Sequence, residues 1–285
     1  MKIASTIEEV RAIRRLYGVE SLGLVTTMGY LHEGHLELVR QARVGNEHVA
    51  ATIFVNPKQF GPTEDLSRYP RDLERDLDLL RNEGVDFVFT PSDDTMYPDD
   101  YQTIVRVTQV TQPLEGARRP THFEGVTTVV AKLFNITQPT RAYFGQKDAQ
   151  QVAVIKQMVR DLNFNLEIVV CPTVREEDGL AMSSRNKYLS AEQRPAATTL
   201  YRAWQQAQAA WENGERESNA LRQAMMNVLS AEPLARVDYV SVAEPISLRE
   251  LEGVIPVDRG ALLSMAVYFG QTRLIDNVLL MPVAG

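Results

Sequence analysis

The 285-residue chain is almost without cysteine, and Cys171 stands alone. An intramolecular disulfide is thereby excluded, and such usage suits a reducing compartment. Long apolar runs are missing too. No stretch approaches the roughly 18 apolar residues of a membrane span, and the opening MKIASTIEEV lacks the apolar core of a secretory leader. A soluble, cytoplasmic protein with no membrane partner is expected. Positive charge is not in excess either, with 37 acids against 30 lysines and arginines, net −7, the signs interspersed and no basic stripe. This argues against a nucleic-acid partner and requires any anion site to be built locally. Internal repeats, low-complexity tracts and Gly/Ser linkers are absent, and the length suits roughly two domains.

Histidine is scarce as well, four in all, yet two of them stand three apart in TTMGYLHEGHLELV at 26–39. The run Leu22, Gly23, Leu24, Val25 reads as a buried strand, and 35–42 as a helix with Leu36, Leu38 and Val39 on its apolar side. The loop between them ends at a helix N-terminus, where unpaired N–H groups and the helix dipole attract anions. Gly34 lets a phosphate approach the backbone, and His32 and His35 can donate N–H bonds from one side. A zinc site of the HExxH kind needs a spacing of four, so metal ligation is not indicated. Ordinary surface histidines remain an alternative for this loop taken alone.

Thr6 with Glu9 forms a capping box for a first helix ending near Leu16, before Gly18. Strands are then expected at 22–26, 49–55, 85–89, 141–144 and 166–171, alternating with helices at 35–45, 70–83, 124–136 and 147–162. That order predicts an α/β fold, a parallel sheet with helices on both faces and ligands beyond the carboxyl ends of its strands. After about residue 189 the pattern changes. Ser190 with Gln193 reads as a capping box opening one long helix through Trp211, a second helix covers 218–231, and three β-like runs begin at 236, 261 and 273. A smaller C-terminal α+β domain is expected there.

Three further loops after strands carry chemistry-bearing residues, and with the histidine loop they could converge on one edge of the sheet. In FGQKDAQQ (144–151) Lys147 and the first amides can meet phosphate, Asp148 can address ribose or amide groups, and Gln151, four residues on, shares the helical face of Lys147. An ordinary αβ turn with solvated charges accounts for the segment equally well. MSSR (182–185), after the flexible-looking EEDGLA, offers a guanidinium and two hydroxyls to close over phosphates, or is a mobile surface loop. IFVNPKQFGP (53–62) sets Asn56 and Gln59 beside Phe54 and Phe60, suited to a small ligand or merely to a turn. His122 and Arg119 precede an apolar helix, with structure favoured for His122, and His48 is read as non-catalytic. Asp72 and Asp76, four apart, read as a solvated helix face rather than a magnesium site.

Taken in order, TMGYLHEGH, FVNPKQFGP, YPRDLERD, RPTHFEGV, YFGQKDAQQ and PTVREEDGLAMSSRNKYLS closely resemble the pantothenate synthetases, the pantoate:β-alanine ligases, over most of residues 22–190. The resemblance implies a Rossmann-like domain at 1–175 binding ATP and pantoate, and a C-terminal lid domain at 176–285 that begins with a phosphate-gripping loop. It implies that ATP and pantoate form pantoyl adenylate and pyrophosphate, after which β-alanine displaces AMP, with Mg²⁺ as the metal cofactor. By motif, Met28, Gly29, Tyr30, Leu31, His32, Glu33, Gly34 and His35 would hold ATP, His35 being the principal catalytic histidine and His32 assisting. Gly145, Gln146, Lys147, Asp148, Val174, Met182, Ser183, Ser184 and Arg185 would complete the ATP site, with Lys147 and Arg185 also catalytic. Gln59 and Gln151 would bind pantoate, Gln59 also lying near β-alanine. No residue is assigned as a metal ligand. The family's usual FGEKD reads FGQKD here, so any charge-dependent role at Gln146 is lost while Lys147 and Asp148 remain. A homodimer is implied, with the FVNP region and its neighbouring helix expected to offer apolar and aromatic surface.

Overall fold

A computed structural model describes residues 1–62, 64 and 66–282. In chain order it contains β1 (Lys2–Ala4), α1 (Ile7–Leu16), β2 (Leu22–Thr27), α2 (Glu33–Gly45), β3 (His48–Ile53), α3 (Leu73–Asn82), β4 (Phe87–Phe89) and the single turns α4 (Asp93–Met96) and α5 (Glu115–Arg118). There follow α6 (His122–Thr137), β5 (Arg141–Gly145), α7 (Ala149–Asp161), β6 (Glu167–Cys171), α8 (Gln193–Ala196), α9 (Thr199–Glu212), α10 (Ser218–Ser230), β7 (Ala235–Ala243), β8 (Ala261–Phe269) and β9 (Thr272–Leu280). Two compact units result, one formed by 1–146 with 154–172, the other by 147–153 with the chain from Thr173 onward. Among the described residues no helix is long and apolar enough to cross a membrane.

The first unit holds a six-stranded sheet, β1-β4-β3-β2-β5-β6, with every pairing parallel. From β2 the chain steps outward to β3 and β4, then returns to place β5 on the other side of β2. The order therefore reverses between β2 and β5, and the carboxyl ends there border the crevice in which such sheets receive ligands. Leu22, Leu24, Val25, Val49, Ala51 and Val88 are fully buried, as strands covered on both faces require. The α1 capping box is present: the Glu9 N–H donates to Thr6 Oγ1 at 3.2 Å and the Thr6 N–H to Glu9 Oε2 at 3.1 Å.

Three features differ from the sequence expectation. The three-residue strand β1 has no periodicity to reveal it and is defined by pairing with β4, Lys2 opposite Phe87. Helix α3 begins at Leu73 rather than 70, with Asp72 as its N-cap. The long helix expected from Ser190 is divided into α8 and α9. Its capping box is real, since the Gln193 N–H donates to Ser190 Oγ and the Ser190 N–H to Gln193 Oε1. After Pro195, however, the ladder tightens to three-residue bonds, Thr198 N–H to Pro195 O and Leu200 N–H to Ala197 O, both at 3.2 Å.

In the second unit α9 and α10 cover the antiparallel sheet β7-β8-β9. Trp211, Leu221, Met225 and Leu229 of the helices share a core with Leu263, Met265, Val267 and Phe269 of β8.

Candidate active site

The histidine loop leaves the end of β2 and turns at once. Gly29 and Tyr30 both take positive φ, +81° and +50°, a conformation that glycine adopts freely and tyrosine only when held. The holder is Asp76 of α3. Its Oδ2 accepts the Tyr30 N–H at 2.6 Å and its Oδ1 the Leu31 N–H at 2.8 Å, while the Arg75 guanidinium binds the Leu31 carbonyl at 2.9 Å. Asp76 is only 1 % exposed. Burial raises its pKa, and the two N–H bonds oppose that rise. The expectation of a solvated Asp72/Asp76 face is thus corrected: Asp72 caps α3 by accepting the Arg75 N–H, and Asp76 points inward as the clamp of the loop. A Cβ on Gly29 would come within 3.1 Å of the same carboxylate oxygen, so a side chain at Gly29 crowds the clamp.

His32 is the N-cap of α2, whose first residue is Glu33, so His35 lies inside the first turn. The Gly34 N–H donates to His32 Nδ1 at 3.1 Å and the His32 N–H to His35 Nδ1 at 3.3 Å. Since each Nδ1 is an acceptor, each neutral ring carries its proton on Nε2. The rings lie 4.1 Å apart at 39°. Two Nε2–H donors thus stand side by side at the N-terminus of a 13-residue helix, an arrangement that can neutralise charge developing on an anion.

Gln59 ends a 3₁₀ turn, Pro57–Gln59, that follows β3. Its amide is oriented at both ends: Asn56 Nδ2 donates to Gln59 Oε1 at 3.0 Å, and Gln59 Nε2 contacts Met28 Sδ at 3.0 Å. Asn56, 1 % exposed, acts as the brace, because its Nδ2 also donates to Gly125 O and its Oδ1 accepts from Tyr97 Oη and the Lys58 N–H. A Cβ on Gly125 would fall 2.3 Å from Lys58 O, so α6 approaches this turn as closely as glycine permits. Phe54 is buried and meets Tyr97. Its ring therefore adds nothing to the aromatic surface expected of the FVNP region.

His122 supports the same turn, its Nδ1–H donating to Gln59 O at 2.9 Å, in keeping with the structural role expected for it. Burial, and then the neighbouring Arg119, hold its pKa below the ordinary 6.5, at about 4. Between those values the unfolded chain binds a proton that the folded chain refuses, so stability is complete above about 6.5 and falls as pH drops towards 4. His122→Asn keeps a donor for Gln59 O at the place of Nδ1 and removes the titration. Its melting temperature relative to wild type should therefore rise as pH falls through this window, and a difference constant from pH 4 to 7 would refute the assignment. His48 is bonded to Glu20 at 2.6 Å and stacked on Tyr17, a structural setting.

Gly145 ends β5, and Gln146–Asp148 form a 3₁₀ turn before α7 opens at Ala149. Lys147 and Gln151 therefore do not share one continuous α-helix, and the same-face expectation for them is corrected. Lys147 Nζ stands 3.6 Å from Asp148 Oδ1.

The segment EEDGLA, which looks flexible in sequence, is tied down. Arg194 binds Glu176 and Asp178 at 2.7 Å each, the Met182 N–H donates to Val174 O at 3.0 Å, and Arg175 bridges to Ala181. Ser183 Oγ accepts the Arg185 N–H at 3.2 Å and opens the 3₁₀ turn Ser184–Tyr188.

The structure thus joins His32 to His35 and Met28 to Gln59 in the first unit, and Lys147 to Asp148 and Val174 to Met182 in the second. Among the described residues no three His, Cys, Asp or Glu side chains form a cluster able to hold a metal ion. The braces Asp76 and Asn56 are what sequence reasoning missed. An acid on an amphipathic helix at an inward position was the only signal for the first, and the Asn-Pro at the start of a 3₁₀ turn for the second.

Residues 2–279 match the family model described as pantoate-beta-alanine ligase. A pantothenate synthetase from a Roseiflexus species is 60 % identical over 281 residues, covering 98 % of this chain and 99 % of that one. The crystal structure of pantothenate synthetase from Thermus thermophilus superposes with a TM-score of 0.93 at 48 % identity, covering 99 % of this chain and 100 % of the other. A pantoate-beta-alanine ligase from Francisella tularensis, complexed with beta-gamma ATP and beta-alanine, gives a TM-score of 0.80 at 35 % identity, with 100 % and 99 % covered.

Proposed function

From its membership of the pantoate–β-alanine ligase family, we infer that this chain condenses pantoate with β-alanine at the expense of ATP, releasing pyrophosphate and AMP. The pantoate carboxylate attacks the α-phosphorus of ATP, the bond from that phosphorus to the α,β-bridging oxygen breaks so that pyrophosphate leaves with the electron pair, and an acyl adenylate forms. The β-alanine amine then adds to the acyl carbon, AMP leaves with the C–O bond electrons, and the amine proton passes to the medium. No covalent nucleophile on the protein is needed, which suits a chain whose lone thiol, Cys171, is buried with its pKa pushed up to about 11 by burial and then by Glu37.

The observation that carries the mechanism is the pair of Nε2–H donors at the start of α2. We assign His35, assisted by His32, to the phosphoryl oxygens that gain charge as pyrophosphate departs. The Met28 to His35 loop lines the nucleotide. Lys147 and Arg185 supply cations to the phosphates. Gly145, Gln146, Asp148, Val174, Met182, Ser183 and Ser184 surround the nucleotide, and the Ser183 hydroxyl still has its proton to donate because only its oxygen is engaged in the cap. Gln59 and Gln151 bind pantoate, and Gln59, oriented by Asn56, also faces β-alanine. The second step needs the amine held close and water kept out, which positioning alone provides.

We assign Mg²⁺ to the phosphates of ATP rather than to a protein cage, since small hard cations keep waters and phosphate oxygens as ligands and the described residues present no metal cluster. The ion would offset phosphate charge. We place the protein in the cytoplasm, where ATP is available, and propose a homodimer whose interface covers apolar side chains left exposed on the first unit, among them Leu73 and Ile104.

Labelled pyrophosphate should exchange into ATP when pantoate is present and β-alanine absent, because every group needed for the first step precedes the amine. Exchange that appears only on adding β-alanine would rule out a freely reversible adenylate. Pantothenate and AMP should accumulate when all substrates are present, and an adenylylated product without AMP release would sink the ligase assignment. For the oligomer, sedimentation at micromolar concentration should show twice the monomer mass, and a monomer alone counts against the dimer.

A further inference from the structure

A buried acid in the middle of the last strand has no place in the chemistry above. Asp276 of β9 is 2 % exposed and lies on the strand face that also carries the core residues Leu274 and Leu280. Its carboxylate accepts four donors: Arg175 Nη1 at 2.7 Å, Arg175 Nη2 at 2.9 Å, Trp204 Nε1 at 3.1 Å and the Asn277 N–H at 2.8 Å. The Arg175 guanidinium also lies over the rings of Tyr201 and Trp204, at 5.0 and 4.9 Å, and donates to Gly179 O at 3.0 Å. The next residue, Asn277, faces the other side of the sheet as strand geometry requires. There its Nδ2 donates to Lys147 O at 2.8 Å.

A buried ion pair is rarely the most stable filling for a core, and a well-packed apolar pair at Arg175 and Asp276 would serve stability as well or better. What the ionic pair adds is direction. Arg175 opens the hairpin that returns through Ala181 into Met182–Arg185, and Asn277 holds the backbone of Lys147. We propose that Asp276 and Asn277 together are positioning residues that anchor the two phosphate-directed segments, Lys147 and 182–185, to one strand, so that both cations are set in place before ATP binds. The proposal deepens the function assigned above and rests on the phosphate-binding roles given there to Lys147 and Arg185. Neither Asp276 nor Asn277 need touch substrate.

Two single variants separate anchoring from simple support of the core. Asn277→Ala releases the Lys147 carbonyl and leaves the Arg175–Asp276 pair in place. Asp276→Asn keeps the volume and weakens the hold on Arg175. Calorimetric titration with a non-hydrolysable ATP analogue should show binding about tenfold weaker for each, since small misplacements of positioned groups have effects of this order or larger. The pantoate KM should stay within about twofold of wild type. ATP affinity within twofold of wild type in Asn277→Ala overturns the proposal, as does a parallel loss of ATP and pantoate affinity accompanied by a lowered melting temperature. Should Asp276→Asn fail to fold, Asn277→Ala decides alone. Wild-type protein that binds the analogue yet makes no pantothenate overturns the ligase reading and leaves the anchor standing, and absence of analogue binding by the wild type overturns both.

Discussion

Replacing His35 with alanine should slow pantoate-dependent exchange of pyrophosphate into ATP by roughly 10²-fold or more, the scale for deleting one positioned donor to a developing oxyanion. The substitution removes the Nε2–H assigned above to the phosphoryl oxygens. It also removes the Nδ1 that accepts the His32 N–H and the ring against which His32 is set, so the assisting histidine loses its orientation with its partner. His35→Asn retains a polar acceptor near the N-cap without that Nε2–H donor, and should fold like wild type while remaining slow. Lys147→Ala is expected to fall in the same range, through loss of a cation rather than of orientation. Cys171→Ser lies outside this machinery and should leave the rate close to wild type. Single-turnover rates that rank Cys171→Ser below His35→Ala would refute the assignment of roles.

Asp76→Ala should be the most destabilising single change in the histidine loop. The Tyr30 and Leu31 N–H groups would lose the carboxylate that accepts both, and the Leu31 bond is closed to solvent. A buried donor left unsatisfied costs about 1–3 kcal/mol, so the loss should be roughly 2–6 kcal/mol in urea titration. The loop should also relax, because the positive φ of Tyr30 is held by those same bonds. Exchange activity measured well below the melting temperature should therefore fall along with stability. Asp76→Asn keeps one oxygen acceptor and turns an N–H donor towards the other amide, so its effects should lie between wild type and Asp76→Ala. A stability change below about 0.5 kcal/mol for Asp76→Ala, the usual range for an uninvolved surface position, would show that the clamp does not hold the loop.

Much of the first unit was legible from spacing. Leucine and valine runs marked β2 to β6, Thr6 with Glu9 marked the start of α1, and the loop at 26–39 announced a helix N-terminus with two imidazoles at it. Errors arose where the deciding partner lay elsewhere in the chain. Asp72 and Asp76 look equivalent in sequence, yet one caps its own helix and the other binds two amides 45 and 46 residues away. EEDGLA looks loose because its acids meet Arg194 only after the chain has returned on itself. Lys147 looks like the first residue of a helix, but the ladder there is tighter than α, and its carbonyl is taken by Asn277, 130 residues on.

By itself the sequence determined the order of elements, the parallel sheet with its smaller α+β companion, and the family. Those features depend on side-chain type and on contacts within about four residues, which spacing records directly. Only the tertiary structure decided which face Asp76 presents, how Asn56 orients Gln59 towards Met28, which nitrogen of each histidine carries the proton, and how Asp276 and Asn277 serve two loops at once. Each of these turns on backbone N–H or C=O groups brought together across long separations. Such groups are the same in every non-proline residue, so their pairing leaves no mark in the order of amino acids and appears only when the chain is folded.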